Sequence, residues 1–268
     1  MNQDQLKQKM LELRDDVPDF ALIFSGKKSK KVDGLYKPET REILIHNKNH
    51  KTDNEIIYTA IHEFAHHIQF YENPLQKTAR SHNSYFWSIF HKLLMLAEEK
   101  NIYVNFFKSD KEFIDLTKKI KDNYLSKHGE MMKEFGILLL KAMELCRMKN
   151  LSFEDYLSRE LLMNKNEVNN IIKISGSTIN PSIGYDNMKV LSRIKDEDVI
   201  EEIQQAMMDK KLTPQMIKEE IKKEKKQPDK LEMLINEKSR IKKSIQKLEF
   251  NLKEIEDKIE ILKSIGDN

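Results

Sequence analysis

The sequence is poor in the residues that cross-link a chain or interrupt its helices. It has one cysteine, Cys146, among 268 residues, so neither an intrachain disulfide nor a cysteine-built zinc ribbon can form. Seven glycines and six prolines leave long stretches without helix breakers. Because a single cysteine fits a reducing compartment, we expect a cytoplasmic protein. The polar residues at the start of the chain do not resemble a signal peptide.

Two further absences limit the classes of protein. No apolar run reaches the ~18–20 residues that a membrane helix needs, so we expect no membrane partner. The net charge is only +3 although 34% of the residues are charged, and bulk charge therefore does not indicate nucleic-acid binding. The hydrophobic content of 39% is enough for a core in part of the chain, and the length allows more than one domain.

The most informative motif lies at residues 62–66, which have the pattern HExxH. Positions i and i+4 lie on one face of a helix, so His62 and His66 can bind the same metal ion. Neutral imidazoles are good ligands for Zn²⁺. The adjacent Glu63 can take a proton from a water on that metal. The motif therefore predicts a zinc site with Glu63 as the general base.

A third protein ligand must come from outside the motif. His67 points about 100° away from its neighbour on the helix and is a poor partner for the same ion. The downstream candidates are Glu72, His82, His91, Glu98 and Glu99. We favour His82, because it precedes a second predicted helix and a ligand there would face the first helix. If the site uses a glutamate, Glu98 or Glu99 would compete.

Three segments of the first third of the chain occur in the order found in one enzyme family. A Gly34-x-Tyr36-x-Pro38 segment precedes an apolar run at residues 43–45, the HExxH motif follows, and His82 then stands before Phe86-Trp87. Together these segments, within residues 20–95, resemble the SprT-like minimal zinc metallopeptidases.

The resemblance implies a zincin domain that cleaves a peptide or protein substrate. It assigns the zinc ligands to His62, His66 and His82, and the base to Glu63. Asn83 stands where the family usually has glycine. In such a domain, a strand beside the active-site helix pairs with an extended peptide, although an ordinary edge strand would leave the same pattern.

The next part of the chain is predicted to be helical. Residues 131–148 have apolar residues at helical spacing, which predicts a core containing Leu138, Leu139, Met143 and Cys146. Ser152 is expected to cap the first helix of a helix-turn-helix, with a turn at residues 163–166 and a second helix at residues 167–174. The exposed side of the second helix offers side chains that can contact bases and phosphates: Lys165, Asn166, Asn169, Asn170 and Lys173.

Residues 150–223 also resemble a known DNA-binding region. After the helix-turn-helix come Gly184-Tyr185, a segment at residues 190–196, and a new helix opening at Pro214. This succession is similar to the corresponding region of ParB-type DNA-binding proteins, which implies DNA as a partner. The alternative is a plain helical bundle that packs against the peptidase domain.

The C-terminal segment has a heptad pattern. Apolar residues follow alternating three- and four-residue steps, and the positions are Leu231, Leu234, Ile241, Ile245, Leu248, Leu252, Ile255, Ile259 and Leu262. This spacing predicts a coiled coil at residues 229–265 and a homodimer. The alternative is one long helix folded onto its own chain.

Together these features predict an α+β protein in three parts. A small zincin domain at residues 1–107 has a short β-sheet and the HExxH helix; a helix-turn-helix-like domain follows at 108–226, and a coiled coil at 229–265. The predicted function is that of a Zn²⁺-dependent metallopeptidase acting on DNA-associated proteins. The alternatives are a DNA-binding regulator with an inactive or structural zincin domain, and a peptidase whose helical part is a scaffold.

Overall fold

The computed structural model describes residues 1–73 and 82–224, together with scattered positions between 234 and 256. These residues form a three-stranded sheet and eleven α-helices, which confirms the predicted α+β class. The chain divides into two compact units, Met1–Ile221 and Lys222–Asn268. Among the described helices, none has both the length and the apolar composition to cross a membrane.

The sheet lies in the first third of the chain and has the order β1-β3-β2. Strand β1 (Ala21–Phe24) runs parallel to β3 (Glu42–Ile45), and β2 (Gly34–Lys37) pairs antiparallel with β3. The segment Pro38–Arg41 therefore closes a β2–β3 hairpin, as the sequence predicts. Strand β3 is central and buries Ile43 and Ile45, whereas β2 lies at an edge of the sheet. The first strand is only partly buried, since Leu22 points inward and its neighbours do not.

Three helices pack with this sheet around the first hydrophobic core. Helix α1 (Gln3–Leu13) begins at a capping box on Asn2. Helix α2 (Asp53–Glu72) begins where the Thr52 side chain accepts a hydrogen bond from the N–H of Glu55. Helix α3 (Ser84–Glu99) packs along α2. The HExxH motif thus lies well inside a capped, 20-residue helix.

Eight further helices follow α3, and those from α6 onward contribute residues to a second hydrophobic core. In chain order they are α4 (Phe106–Ser109), α5 (Lys111–Ile120), α6 (Ser126–Met148), α7 (Phe153–Arg159), α8 (Lys165–Ser175), α9 (Tyr185–Leu191), α10 (Glu197–Met208) and α11 (Pro214–Glu224). A π-helical turn at Lys121–Leu125 joins α5 to α6. The first core draws on residues 6–102 and the second on residues 139–217. The predicted boundary near residue 107 stays a prediction. The predicted boundary near residues 226–229 lies outside the described residues.

Helix α6 buries a narrower stripe than its apolar residues predict. Leu139 and Cys146 are buried, as expected, but Leu138 and Met143 are 59% and 41% exposed. The reason is the close approach of α8 along one side of α6. A Cβ at Gly136 would lie only 2.4 Å from Ser175 Cβ, so the contact is concentrated on that side and leaves the opposite side open.

The two helices predicted at residues 152–174 are present as α7 and α8, and the start of α8 differs from the prediction. Ser152 caps α7 as expected, accepting a hydrogen bond from the N–H of Asp155. Helix α8, however, begins at Lys165, because the Asn164 side chain accepts from the N–H of Asn166. Lys165 and Asn166 therefore belong to the first turn of α8 and not to the preceding turn.

In the second unit, the described positions between 234 and 256 are helical. The heptad residues among them are exposed: Leu234, Ile241, Ile245, Leu248, Leu252 and Ile255. The other three predicted seam residues, Leu231, Ile259 and Leu262, lie outside the described residues. The coiled coil and its stoichiometry stay predictions.

Candidate metal centre

Helix α2 places two histidines of the motif on one face. The rings of His62 and His66 lie 5.0 Å apart between centroids, one helical turn from each other. His66 is only 7% exposed. The opposite face of α2, with Phe64 and Ile68, is fully buried in the first core. Packing of that apolar face therefore fixes the direction in which the histidines point.

His82 reaches the same place from the start of α3. It precedes Asn83, whose side chain caps α3 by accepting from the N–H of Phe86 at 3.0 Å. The same oxygen accepts from Gln69 Nε2 on α2 at 3.2 Å. Asn83 thus both starts α3 and ties it to α2.

The three imidazoles converge through their Nε2 atoms. His82 Nε2 lies 3.1 Å from Nε2 of His62 and 3.1 Å from Nε2 of His66. The possible ligand atoms of the three residues all lie within 4.8 Å of one another. A tetrahedral ion with bonds of ~2.0–2.1 Å separates its nitrogen ligands by about 3.4 Å. The spacing therefore fits a shared zinc ion after only small movements.

Hydrogen bonds on the far side of two rings favour the same conclusion. His62 Nδ1 lies 3.0 Å from Glu63 Oε1, and His66 Nδ1 lies 3.3 Å from Gln69 Oε1. Carboxylate and amide oxygens accept hydrogen bonds, so each ring donates from Nδ1 and presents a lone pair at Nε2. Such partners are typical of metal-binding histidines, whose tautomer they determine.

Burial favours the neutral form of His66 and His82 by lowering the pKa of each ring. Desolvation lowers the pKa of His66 to about 4, although the charge of Glu63 opposes the shift. Desolvation also lowers the pKa of His82, and His62 adds to the effect. Neutral imidazole is the form that binds a metal ion. At neutral pH, both rings are therefore ready to act as ligands without first losing a proton.

Phe86 supports the cluster from α3. Its ring stacks on His66, with centroids 4.2 Å apart and planes at 24°, and meets the ring of His82 edge-on at 4.8 Å. Phe86 is fully buried. Phe86 thus restricts the rotation of the side chains of two candidate ligands, His66 and His82.

The candidate ligands on the rest of α3 lie outside the histidine cluster. His91 shares a hydrogen bond of 3.0 Å with Thr213, and Glu98 pairs with Lys108 at 2.6 Å. Glu99 is exposed near the end of α3. Among the described residues, the candidate metal cluster consists of the three histidines alone.

Glu72 belongs to a separate polar group at the end of α2. It forms an ion pair of 2.8 Å with Arg14 and accepts a hydrogen bond from the hydroxyl of Tyr85. Burial and the Glu72 carboxylate raise the pKa of Tyr85, so this phenol stays protonated as a donor. Tyr85 therefore supports the α2–α3 contact and directs its hydroxyl to Glu72.

His67 has a structural role that its position beside the motif does not reveal. Its Nδ1 accepts a hydrogen bond from the Tyr36 hydroxyl at 3.0 Å, and its Nε2 donates to the Pro18 carbonyl at 2.9 Å. Burial lowers the pKa of His67, which suits a neutral ring with one donor and one acceptor. His67 thus joins α2 to β2 and to the segment before β1. In the sequence, the only feature that could have indicated this contact is Tyr36 of the Gly-x-Tyr-x-Pro segment.

Gly34 lies directly against the candidate base. A Cβ at this position would lie 2.8 Å from Glu63 Cγ, 2.8 Å from Thr59 Cγ2 and 3.1 Å from Glu63 Oε1. These distances are shorter than carbon atoms tolerate. The first residue of the edge strand β2 is therefore small because the carboxylate of Glu63 occupies the space beside it.

Replacing Gly34 by alanine should displace the Glu63 side chain, and hydrolysis that uses Glu63 as a base should fall by about 10²-fold, because small misplacements of a catalytic group are costly. Zinc content should change much less, since the atoms nearest to a Cβ at Gly34 belong to Glu63 and Thr59 and not to the three histidines. Measuring cleavage rate and bound zinc on the same samples tests this. Gly176→Ala is the matched control, because a Cβ there meets nothing within 4 Å. Equal activities of the two variants would contradict the prediction.

The predicted DNA-contacting residues lie on α8, far along the chain from this cluster. Lys165, Asn166, Asn169 and Lys173 are exposed, and Asn170 is half-buried. The opposite side of α8 is buried in the second core through Val168, Ile171 and Ile174. Lys165 forms an exposed ion pair with Glu154 at 2.9 Å.

The candidate metal centre thus combines three imidazoles with one adjacent, almost completely buried carboxylate. Comparisons of the chain with known protein families, curated proteins and solved structures gave no match.

Proposed function

We propose that this protein is a zinc-dependent metallopeptidase. Its zinc ligands would be His62, His66 and His82, and its general base Glu63. The observation that carries the proposal is the convergence of three Nε2 atoms beside a carboxylate that is only 6% exposed. A zinc ion bound there would polarise a peptide carbonyl and lower the pKa of a water ligand to about 7.

Glu63 would perform both proton transfers of the reaction. Its Oε1 accepts from His62 Nδ1 at 3.0 Å, so the carboxylate lies against the side of the His62 ring that faces away from the Nε2 atoms, and it would turn towards the metal-bound water during the reaction. The carboxylate would take a proton from the attacking water and then deliver it to the leaving amine. Its burial shields the carboxylate from competing solvent, so the proton is passed within the site.

The edge strand β2 is the candidate binding surface for an extended peptide. It pairs with β3 along one side, and Gly34 at its start adjoins Glu63. Leu35 on this strand is 44% exposed. A peptide that added to β2 by backbone hydrogen bonds would place its chain beside the base.

The experiment that tests the peptidase proposal is the replacement of Glu63 by glutamine. It removes the base and leaves the three imidazoles in place. Loss of cleavage with retention of zinc supports the enzyme. A biological effect that survives the replacement supports the rival, a DNA-binding regulator with an inactive or structural zincin domain.

We also propose that α8 contacts DNA and directs the peptidase to DNA-associated proteins. The support is the exposed polar side of α8, where two lysines flank asparagines that can reach base edges. A homodimer formed through the C-terminal heptads would present two such helices to paired half-sites. The exposed apolar positions of that segment are consistent with a partner helix.

Neutralising Lys165 and Lys173 together should weaken DNA binding at every sequence. Loss of two phosphate contacts should reduce the slope of log affinity against log salt by about 1.8. Binding to a labelled duplex across a salt series measures this. Lys118→Ala with Lys119→Ala removes the same charge from the exposed side of α5 and should leave the slope unchanged. Identical slopes for all three proteins would favour a scaffold role for the helical part.

A further inference from the structure

A cavity of about 330 Å³ opens beside α3. Its walls come from α2, from α3, from the segment after α3 and from the turn between α10 and α11. Aromatic rings dominate the lining: Tyr58, Trp87, Phe90, Tyr103 and Phe107. This volume falls at the lower end of the ~300–1,000 Å³ that is usual for ligand pockets. The size suits one side chain and not a whole folded partner.

Two walls of this cavity are shared with the histidine cluster. The Phe90 ring lies 5.4 Å from the ring of His62, and the Trp87 ring lies 5.9 Å from the ring of His82. Tyr58 precedes His62 by one helical turn on the same face of α2. Its ring meets Phe90 edge-on at 5.4 Å. A single layer of aromatic rings therefore separates the cavity from the place where the metal would bind.

The polar groups in the lining already hydrogen-bond to one another. Glu98 accepts from Asn105 at 2.9 Å and from Lys108 at 2.6 Å. His91 and Thr213 share a hydrogen bond of 3.0 Å. A charged occupant would have to compete with these bonds, whereas an apolar occupant would leave them intact.

We propose that this cavity receives a large apolar side chain, aromatic or aliphatic, of the residue next to the cleaved peptide bond. The inference rests on the proposed peptidase function and adds its substrate preference. An extended peptide held at β2 beside Glu63 projects alternate side chains from its backbone. A side chain directed along the His62 face of α2 would pass over the rim that Tyr58 and Phe90 form by their edge-on contact and enter the cavity beside these rings.

The helical part of the chain completes this subsite. Thr213, which opens α11, lines the cavity and bonds to His91 on α3. A few residues further, Glu219 accepts a hydrogen bond from the Ser84 hydroxyl at 2.5 Å. Residues outside the sheet and the HExxH helix therefore shape the pocket beside the metal centre. The specificity of the peptidase would then depend on the packing of α11 against α3.

The test fills the cavity at Met95, which lines it from α3 and is none of the three candidate ligands. Full-length wild type, Met95→Trp and Met148→Trp are incubated with a peptide mixture, and cleavage sites are mapped by mass spectrometry. Met148 is 63% exposed on α6, so its replacement controls for the added indole. We expect wild type and Met148→Trp to prefer large apolar residues at one position flanking the cut.

Met95→Trp should shift that preference towards small residues by about tenfold or more, with unchanged zinc content. An unaltered preference in Met95→Trp would overturn the proposal, as would a wild type that is indifferent to apolar side chains at both flanking positions.

A binding measurement distinguishes failure of the pocket proposal from failure of the proposed peptidase function. Trp87 is the only tryptophan in the chain, so its fluorescence reports on the cavity. If zinc-loaded wild type cleaves nothing, N-acetyl-phenylalaninamide should still produce a saturable change in Trp87 fluorescence that N-acetyl-alaninamide does not. That outcome would support the pocket and reject the enzyme. Equal responses to the two compounds would reject the pocket.

Discussion

Replacing Glu63 by glutamine is expected to lower peptide cleavage by on the order of 10²–10⁴-fold. The amide has nearly the same shape as the carboxylate, and its oxygen can still accept the hydrogen bond from His62 Nδ1. It cannot, however, take a proton from water at neutral pH. Fold and zinc content should therefore be unchanged. Initial rates on an unstructured protein substrate, with bound zinc measured on the same preparation, give the result.

The matched control is Glu99→Gln, which makes the same chemical change at an exposed position near the end of α3 and should retain full activity. Cleavage by Glu63→Gln at the wild-type rate would remove Glu63 from the mechanism. A zinc-free Glu63→Gln protein would show instead that the carboxylate holds the His62 ring in place for binding.

Replacing His82 by alanine should remove most of the bound zinc. Loss of a partner that only orients a ligand typically weakens metal binding by ~10–100-fold, and loss of a ligand itself should cost at least as much. We therefore expect about one zinc ion per wild-type chain and only a small remaining fraction of that zinc in the variant after dialysis. Metal analysis of both proteins, shown to be folded by circular dichroism, measures the difference.

His91→Ala is the control on the same helix, because its ring bonds to Thr213 and lies outside the cluster. It should bind zinc as well as wild type does. If His82→Ala bound as much zinc as wild type, the third ligand would be reassigned to a glutamate such as Glu98. Absence of zinc from the wild type as well would leave the regulator as the better proposal.

Features set by local chain physics could be predicted from the sequence. The HExxH spacing matches the helical period, so placing His62 and His66 on one face required only that this segment be helical. Helix starts at Thr52 and Ser152 follow from side chains that accept hydrogen bonds from N–H groups two or three residues ahead. The hairpin around Pro38 is equally local.

Other features depend on surfaces that meet only in the folded chain. Sequence alone left five candidates for the third ligand. The Gln69–Asn83 hydrogen bond between α2 and α3 and the stacking of Phe86 on His66 bring His82 to the cluster. The exposure of Leu138 and Met143 was decided in the same way, since the close approach at Gly136 determines which side of α6 is covered.

The sequence by itself therefore determined the chemistry available to this protein: two histidines and a carboxylate at helical spacing, in a chain with a single thiol, Cys146. The tertiary structure decided which third imidazole joins them, why Gly34 must be small beside Glu63, and which distant turn closes the cavity next to the metal centre. The physical reason is the separation along the chain over which each interaction acts. Helical periodicity and capping act within a few residues, whereas side-chain packing joins segments as far apart as His91 and Thr213, and no local pattern records that contact.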